Sequence, residues 1–246
     1  MKPNRWLHLF IFTLVFILTA CGAKDEVDSN VKTEPPRENQ TTTDDSVAKP
    51  EEEEKAKDDL LDAEAMVDNL GDYLLRPSDL SDQYSIPEDG EQRLATIRLI
   101  QNMGEIDAKT YVKETNRIDG WWLELRRKNK DDFVPSTIES SIELFESVSG
   151  ARAASSPDYY SLYQDEAREY SPVIGGCNFG DRCLFLRSEK EDPTTETVIV
   201  EYIVAYTYNN AFVWVKARGF DFDMDTDYVK EAAGKILTKL ESAPTK

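Results

Sequence analysis

The stretch TVIVEYIVAYTY (197–208), NN (209–210), AFVWVKARGF (211–220) decides the fold. Two runs rich in Val, Ile, Tyr and Phe flank an Asn-Asn step. β-Branched and aromatic residues suit a pleated surface, and Asn tolerates the positive φ that a two-residue hairpin turn needs. A turn at Asn209-Asn210 pairs residue 208 with 211 and so sets the register of the whole hairpin. Val200, Tyr202, Val204 and Tyr206 then share a face with Val213, Val215 and Ala217. That face is apolar throughout and is the expected core. The opposite face pairs Glu201 with Arg218 and Ala205 with Trp214, so it is mixed. A slip of one residue would turn Glu201 and Lys216 into the core.

Working outward, Asp227 to Leu240 reads as a closing helix, with Val229, Ile236, Leu237 and Leu240 apolar. Upstream, Thr137 to Glu146 alternates Ile138, Ser140, Ile142 and Leu144 and reads as a strand. Arg117 to Arg126 is a strand carrying Trp121 and Trp122 on opposite faces. Ser149 to Tyr170 reads as helical, interrupted at Pro157 with Ser156 placed as an N-cap. Ile106 to Asn116 is an expected helix, and Glu91 to Asn102 fits helix or strand, with helix favoured. Asp59 to Leu70 is an amphipathic helix ended by Gly71, followed by a loop over residues 74–80. This order of helices and strands predicts an α+β fold, an antiparallel twisted sheet flanked by helices as a sandwich.

The start of the chain is of another kind. Lys2 and Arg5 precede an apolar run from Trp6 to Leu18. The run is shorter than the about 20 residues a membrane span requires and fits a signal peptide. It ends in Leu18-Thr19-Ala20-Cys21-Gly22, which resembles the bacterial lipobox. That resemblance implies cleavage before Cys21 and a diacylglycerol or other acyl lipid, palmitate included, on its thiol. Two acyl chains give stable anchoring. Residues 22–59 contain no aromatic residue, and their large aliphatic residues are Val27, Val31 and Val47. Such a stretch buries too little apolar surface to offset its ordering entropy. It is expected to be a tether reaching roughly 35 Å. The expected organisation is a leader over 1–20, a disordered acidic tether over 21–58 and a globular domain over 59–246.

Arg117-Ile118-Asp119-Gly120-Trp121, the run from Phe145 to Ala154, Gly180-Asp181 and the final hairpin plus helix together resemble PsbP-like extracytoplasmic domains. The resemblance spans about residues 105 to 241. It implies an antiparallel sheet flanked by helices and a non-catalytic binding or scaffold role, and it brings no site residues.

The chain has 246 residues and a formal net charge of −19. A surface this acidic repels nucleic acid. His8 is the one histidine, and it departs with the leader. The mature chain then has no imidazole for Ser-His-Asp or Cys-His catalysis or for zinc ligation, so no catalytic residue is expected. Cys177 and Cys183 are the thiols left after lipidation, and in an exported protein they are expected to form a disulfide. Gly175-Gly176 precedes a cysteine and is not a phosphate loop.

Three features keep other functions open. Acids are abundant enough for a carboxylate pair, as a glycan hydrolase would use. Asp221, Asp223, Asp225 and Asp227 alternate and invite calcium. However, Thr226 and Ala232 stand where an EF-hand needs Gly and Glu. The plainer expectation is a solvated loop in which Asp225 or Asp227 caps the last helix. Tyr159, Tyr160, Tyr163, Trp121, Trp122, Phe212 and Trp214 would either stack a ligand or fill the core.

The expected protein is therefore a membrane-anchored, extracytoplasmic binding or scaffold lipoprotein of the cell envelope. Its partners would be the membrane, through the lipid, and an envelope protein or glycan. It would lie on the outer face of the cytoplasmic membrane or, since Gly22 rather than Asp follows the cysteine, on an outer membrane where one exists. The alternatives are a carboxylate-dependent glycan hydrolase and a calcium-stabilised adhesion module.

Overall fold

The computed structural model describes residues 60–165, 167–192 and 194–246. The leader, Cys21 and the acidic tether lie outside the described residues. Among the described residues, eight strands form one antiparallel sheet. They are β1 (Tyr84–Ser85), β2 (Glu91–Arg93), β3 (Arg117–Arg127), β4 (Thr137–Phe145), β5 (Ser171–Pro172), β6 (Arg182–Glu191), β7 (Val198–Tyr208) and β8 (Ala211–Phe220). The order across the sheet is β1-β3-β4-β8-β7-β6-β5, with β2 also paired to β3. The helices are α1 (Ala63–Met66), α2 (Pro77–Leu80), α3 (Thr96–Met103), α4 (Glu105–Thr115), α5 (Val148–Ala154) and α6 (Thr226–Glu241). Tighter 3-10 turns occupy Val67–Tyr73, Pro157–Leu162 and Asp221–Asp223. The fold is α+β, an antiparallel sheet with helices packed on it.

The β7–β8 hairpin has the register set by its turn, with Tyr208 opposite Ala211, Val204 opposite Val215 and Glu201 opposite Arg218. Asn209 takes the positive φ of 50°. On the first face, Val200, Tyr202, Val204 and Tyr206 join Val213, Val215 and Ala217 against Val229, Ala233, Ile236 and Leu240 of α6. Met66, Leu70 and Leu74 close the same cluster. Each large apolar side chain so buried contributes about 1.5–3 kcal/mol.

The second face departs from the mixed surface expected. Ile203, Ala205, Phe212 and Trp214 are buried in a separate cluster with Tyr111, Phe145, Ala151, Ala154, Tyr159 and Tyr163. Glu201, at 3 % exposure, is buried too. It survives there because Tyr170 Oη donates to its carboxylate, as a buried charge requires. Helices thus cover both sides of the sheet's centre. Two glycines shape the cover on this second face. Gly104, at φ 87°, makes the corner between α3 and α4. At Gly150 a Cβ would lie 2.1 Å from the Thr115 carbonyl oxygen, so α5 seats on the end of α4 only with glycine there.

Several elements differ from expectation. Glu91 to Asn102 divides into β2 and α3, because Glu91, Gln92 and Arg93 pair with Leu123, Trp122 and Trp121. The first helix begins at Ala63, capped by the Asp62 carboxylate, and continues as 3-10 turns through Gly71 to Tyr73. The expected loop over 74–80 contains the single turn α2. The helical run from Ser149 to Tyr170 is α5 plus a 3-10 segment, and Ser156 stands at that segment's N-cap without a side-chain cap bond. Strand β6 has no counterpart among the expected elements.

Candidate functional site

Burial on the second face stops partway along the central strands. On β8, Phe212 and Trp214 are buried, Lys216 is partly exposed and Arg218 is exposed. On β4, Glu143 and Ser141 are buried, while Glu139 and Thr137 are partly exposed. On β3, Gly120 is buried, Trp122 and Glu124 are partly exposed and Arg126 is exposed. The helical cover therefore ends across the middle of the sheet. A crevice of about 310 Å³ lies at that boundary. Its floor includes Gln92, Trp122, Glu139, Trp214 and Lys216 from the strands. Leu94, Leu99 and the segment 161–165 form its walls.

The β4–β8 register sets Glu139 directly opposite Lys216. Lys216 Nζ lies 3.1 Å from Glu139 Oε1. Trp122 Nε1 donates to Glu139 Oε2 at 3.2 Å, and the Lys216 ammonium stands 5.6 Å from the centre of the Trp214 ring. Deeper in, the Glu143 carboxylate accepts from Arg117 Nε and, at 3.1 Å, from Tyr111 Oη. Arg117 also donates to the Leu94 carbonyl oxygen at 2.8 Å. At the rim, Asp165 Oδ2 lies 3.6 Å from Arg168 Nε. Burial drives the Tyr163 and Tyr111 hydroxyls well above their ordinary pKa, with Glu143 adding to the rise at Tyr111. The Tyr111 phenol is a neutral donor to Glu143 at physiological pH, and the Tyr163 hydroxyl meets the Gln164 side chain.

The aromatic residues singled out in the sequence separate by role. Trp122, Tyr163 and Trp214 line the crevice. Tyr159, Tyr163, Phe212 and Trp214 are buried, so they are chiefly core. Tyr160 stacks edge-on against Tyr163. Trp121 points to the first face and packs against that cluster. Trp122 is the ring with a partly exposed face in the crevice.

The four acids after β8 diverge. Asp223 is buried and paired with Arg127 at 2.9 Å. Asp221 lies 3.4 Å from Arg187. Asp225 caps α6, accepting from the Asp227 backbone amide at 2.9 Å. Among the described residues no three His, Cys, Asp or Glu side chains are grouped to hold a metal ion. Cys177 and Cys183 are joined as a disulfide with Cα atoms 5.4 Å apart. It closes a loop whose Phe179 ring packs on Tyr206. No described helix is long and apolar enough to cross a membrane.

Gln92, Glu139, Glu143, Gln164, Asp165 and Lys216 escape a sequence reading as a group. Their meeting depends on strand pairings between distant segments. The available signal is local: Glu139 and Lys216 are charged residues at second-face positions of strands rich in apolar residues.

No protein-family model and no curated protein matches the chain. Among solved structures it is similar to the extracellular domain of PknH from Mycobacterium tuberculosis, with a TM-score of 0.47 and 14 % sequence identity over 70 % of this chain and 94 % of that one. A likeness of this degree identifies neither family nor function.

Proposed function

We propose that this chain is an extracytoplasmic lipoprotein, anchored through lipid on Cys21, that binds an envelope ligand in the crevice without catalysing a reaction. The observation that carries the binding role is the crevice itself. It is a concave site where the partly exposed Trp122 ring meets converging polar side chains from strands and loop, and ligands are bound in such concavities. The location is supported by the leader residues Lys2 to Gly22 and by a disulfide, a bond that persists in oxidising compartments. The helix-covered antiparallel sheet supports the PsbP-like resemblance.

The non-catalytic reading draws on the positions of the crevice acids. Glu139 and Glu143 stand four residues apart on β4, about 13 Å along the strand. Each of these two is also held by a cation of its own.

Two experiments test the proposal. Cells producing the protein and fed an alkyne-bearing palmitate should label the wild type, while Cys21→Ser should lose the label and accumulate the unprocessed precursor. A label retained on Cys21→Ser would sink the anchor. A soluble envelope digest should change the tryptophan fluorescence of the purified protein, and Gln92→Ala with Gln164→Ala should weaken that response. An undiminished response would place the binding outside the crevice.

A further inference from the structure

The charges around the crevice are matched to a degree that the whole chain is not. We propose that the crevice takes an uncharged oligosaccharide, an inference that rests on the crevice being the binding site. The chain as a whole carries a net charge of −19, so an unselected concavity on it would be expected to carry an excess of acids. In this crevice each lining carboxylate has its own cation. Glu139 has Lys216, Glu143 has Arg117 and Asp165 has Arg168.

The pairing decides which ligands the site favours. A cationic ligand would set a second positive charge beside Lys216, and at Glu143 or Asp165 it would compete with Arg117 or Arg168. An anionic ligand would have to draw Lys216 away from Glu139 and would then face carboxylates. Removing one member of a poorly solvated pair strands the other charge. Arg117 and Glu143 are 3 % and 2 % exposed, so for them this cost is close to its maximum. A neutral ligand meets none of these penalties.

The groups left to meet a ligand suit a sugar. Gln92 and Gln164 bring amides, each able to donate and accept, the Gln164 amide keeping further capacity beside its contact with the Tyr163 hydroxyl, and Ser161 brings a hydroxyl. Each Glu139 oxygen already accepts one hydrogen bond or ion pair, and an ionised carboxylate has about four acceptor sites in all. Glu139 can therefore accept from a ligand hydroxyl without leaving Lys216. Leu94, Leu99 and the partly exposed Trp122 ring offer apolar surface for the C–H face of a pyranose. A site of about 310 Å³ is at the small end of ligand pockets. On the same face, the next positions along the strands, Thr137, Arg218 and Arg126, are partly or fully exposed. Further residues of a chain can run along that polar strip, which favours an oligomer over a single sugar.

The test uses the full chain in detergent micelles and four tetrasaccharide probes. Two are neutral, N-acetylchitotetraose and maltotetraose. One is cationic, the glucosamine tetramer, and one is anionic, a galacturonate tetramer. Binding is followed by tryptophan fluorescence and titration calorimetry at low and high salt. At least one neutral tetramer should bind, about tenfold tighter than either charged one, with an affinity that salt leaves unchanged. Gln92→Ala and Gln164→Ala should each weaken it by about tenfold. Tighter binding of a charged tetramer that is sensitive to these variants would overturn the neutral class and leave the crevice as the site. A silent set of sugars beside a variant-sensitive response to the envelope digest would also overturn the sugar alone. Sugars and digest both insensitive to the variants would overturn sugar and crevice together.

Discussion

Arg127 Nη1 donates to Asp223 Oδ2 at 2.9 Å, with side chains 7 % and 3 % exposed. The same nitrogen reaches the carbonyl oxygens of Asp132 and Val134 at 2.6 and 2.8 Å. One guanidinium thus ties the β3–β4 connection to the turn that follows β8. Asp223 is committed to this fold contact, whereas its neighbours Asp221 and Asp225 are exposed. Asp223→Ala should destabilise the domain by about 3 kcal/mol, because it leaves a buried guanidinium without its counterion. Arg127→Met with Asp223→Leu should cost much less than the single change. Urea unfolding of the three proteins checks this, and equal losses in single and double variants would contradict it.

Asn210 does more than turn the hairpin. Asn209 carries the positive φ, and the Asn210 side chain instead faces inward at 2 % exposure. Its Oδ1 accepts from the Leu61 amide at 2.9 Å, and its Nδ2 donates to the Phe145 carbonyl oxygen at 2.8 Å. It therefore links the β7–β8 turn to the end of β4 and to the first described residues. Asn210→Ala would strand buried backbone groups and should cost about 2 kcal/mol. Hydrogen exchange should show the Leu61 amide losing protection before the β7 amides do. Protection at Leu61 equal to wild type would contradict the role.

Arg76 and Glu91 form a two-pronged pair, with Nη1 to Oε2 at 2.7 Å and Nη2 to Oε1 at 2.8 Å. The Arg76 hydrogen bonds hold the Glu91 carboxyl below its ordinary value of 4.5. A depressed carboxylate contributes stability above its unfolded pKa and loses it as the pH falls through the folded one. Glu91→Gln should therefore be less stable than wild type at pH 7, by about 1 kcal/mol for a partly exposed pair. The gap should close as the pH drops below 4.5. Unfolding titrations at stepped pH measure this, and a gap that persisted in acid would contradict the assignment.

How much of this structure can be read from the sequence depends on where each element's partners lie. The β7–β8 hairpin is legible because its turn and both its strands are contiguous, so the register follows from Asn209-Asn210 alone. Helix α6 is legible because one face is apolar and the other polar. Strand β6 is not, since Leu184, Phe185 and Leu186 are consecutive apolar residues and burial from both faces erases the alternation. Strand β2 is too short to display any period. The buried state of Glu201 depends on Tyr170, thirty-one residues away in the chain. The crevice depends on three separate strand pairings and on where the helical cover stops. Its aromatic residues can be singled out in the sequence, but the ion pairs that give it chemical character cannot.

The central claim is that a ligand of the cell envelope occupies the crevice bounded by Trp122, Glu139, Lys216 and the segment 161–165. The most direct measurement is photo-crosslinking in intact cells, with a photoreactive residue placed at Leu162 on the crevice wall or, as a control, at Phe133 on the β3–β4 connection, which is 79 % exposed. The account predicts a defined envelope adduct from position 162 that is absent from position 133 and lost when Gln92→Ala is added. Adducts that are equal at the two positions, or confined to 133, would contradict it.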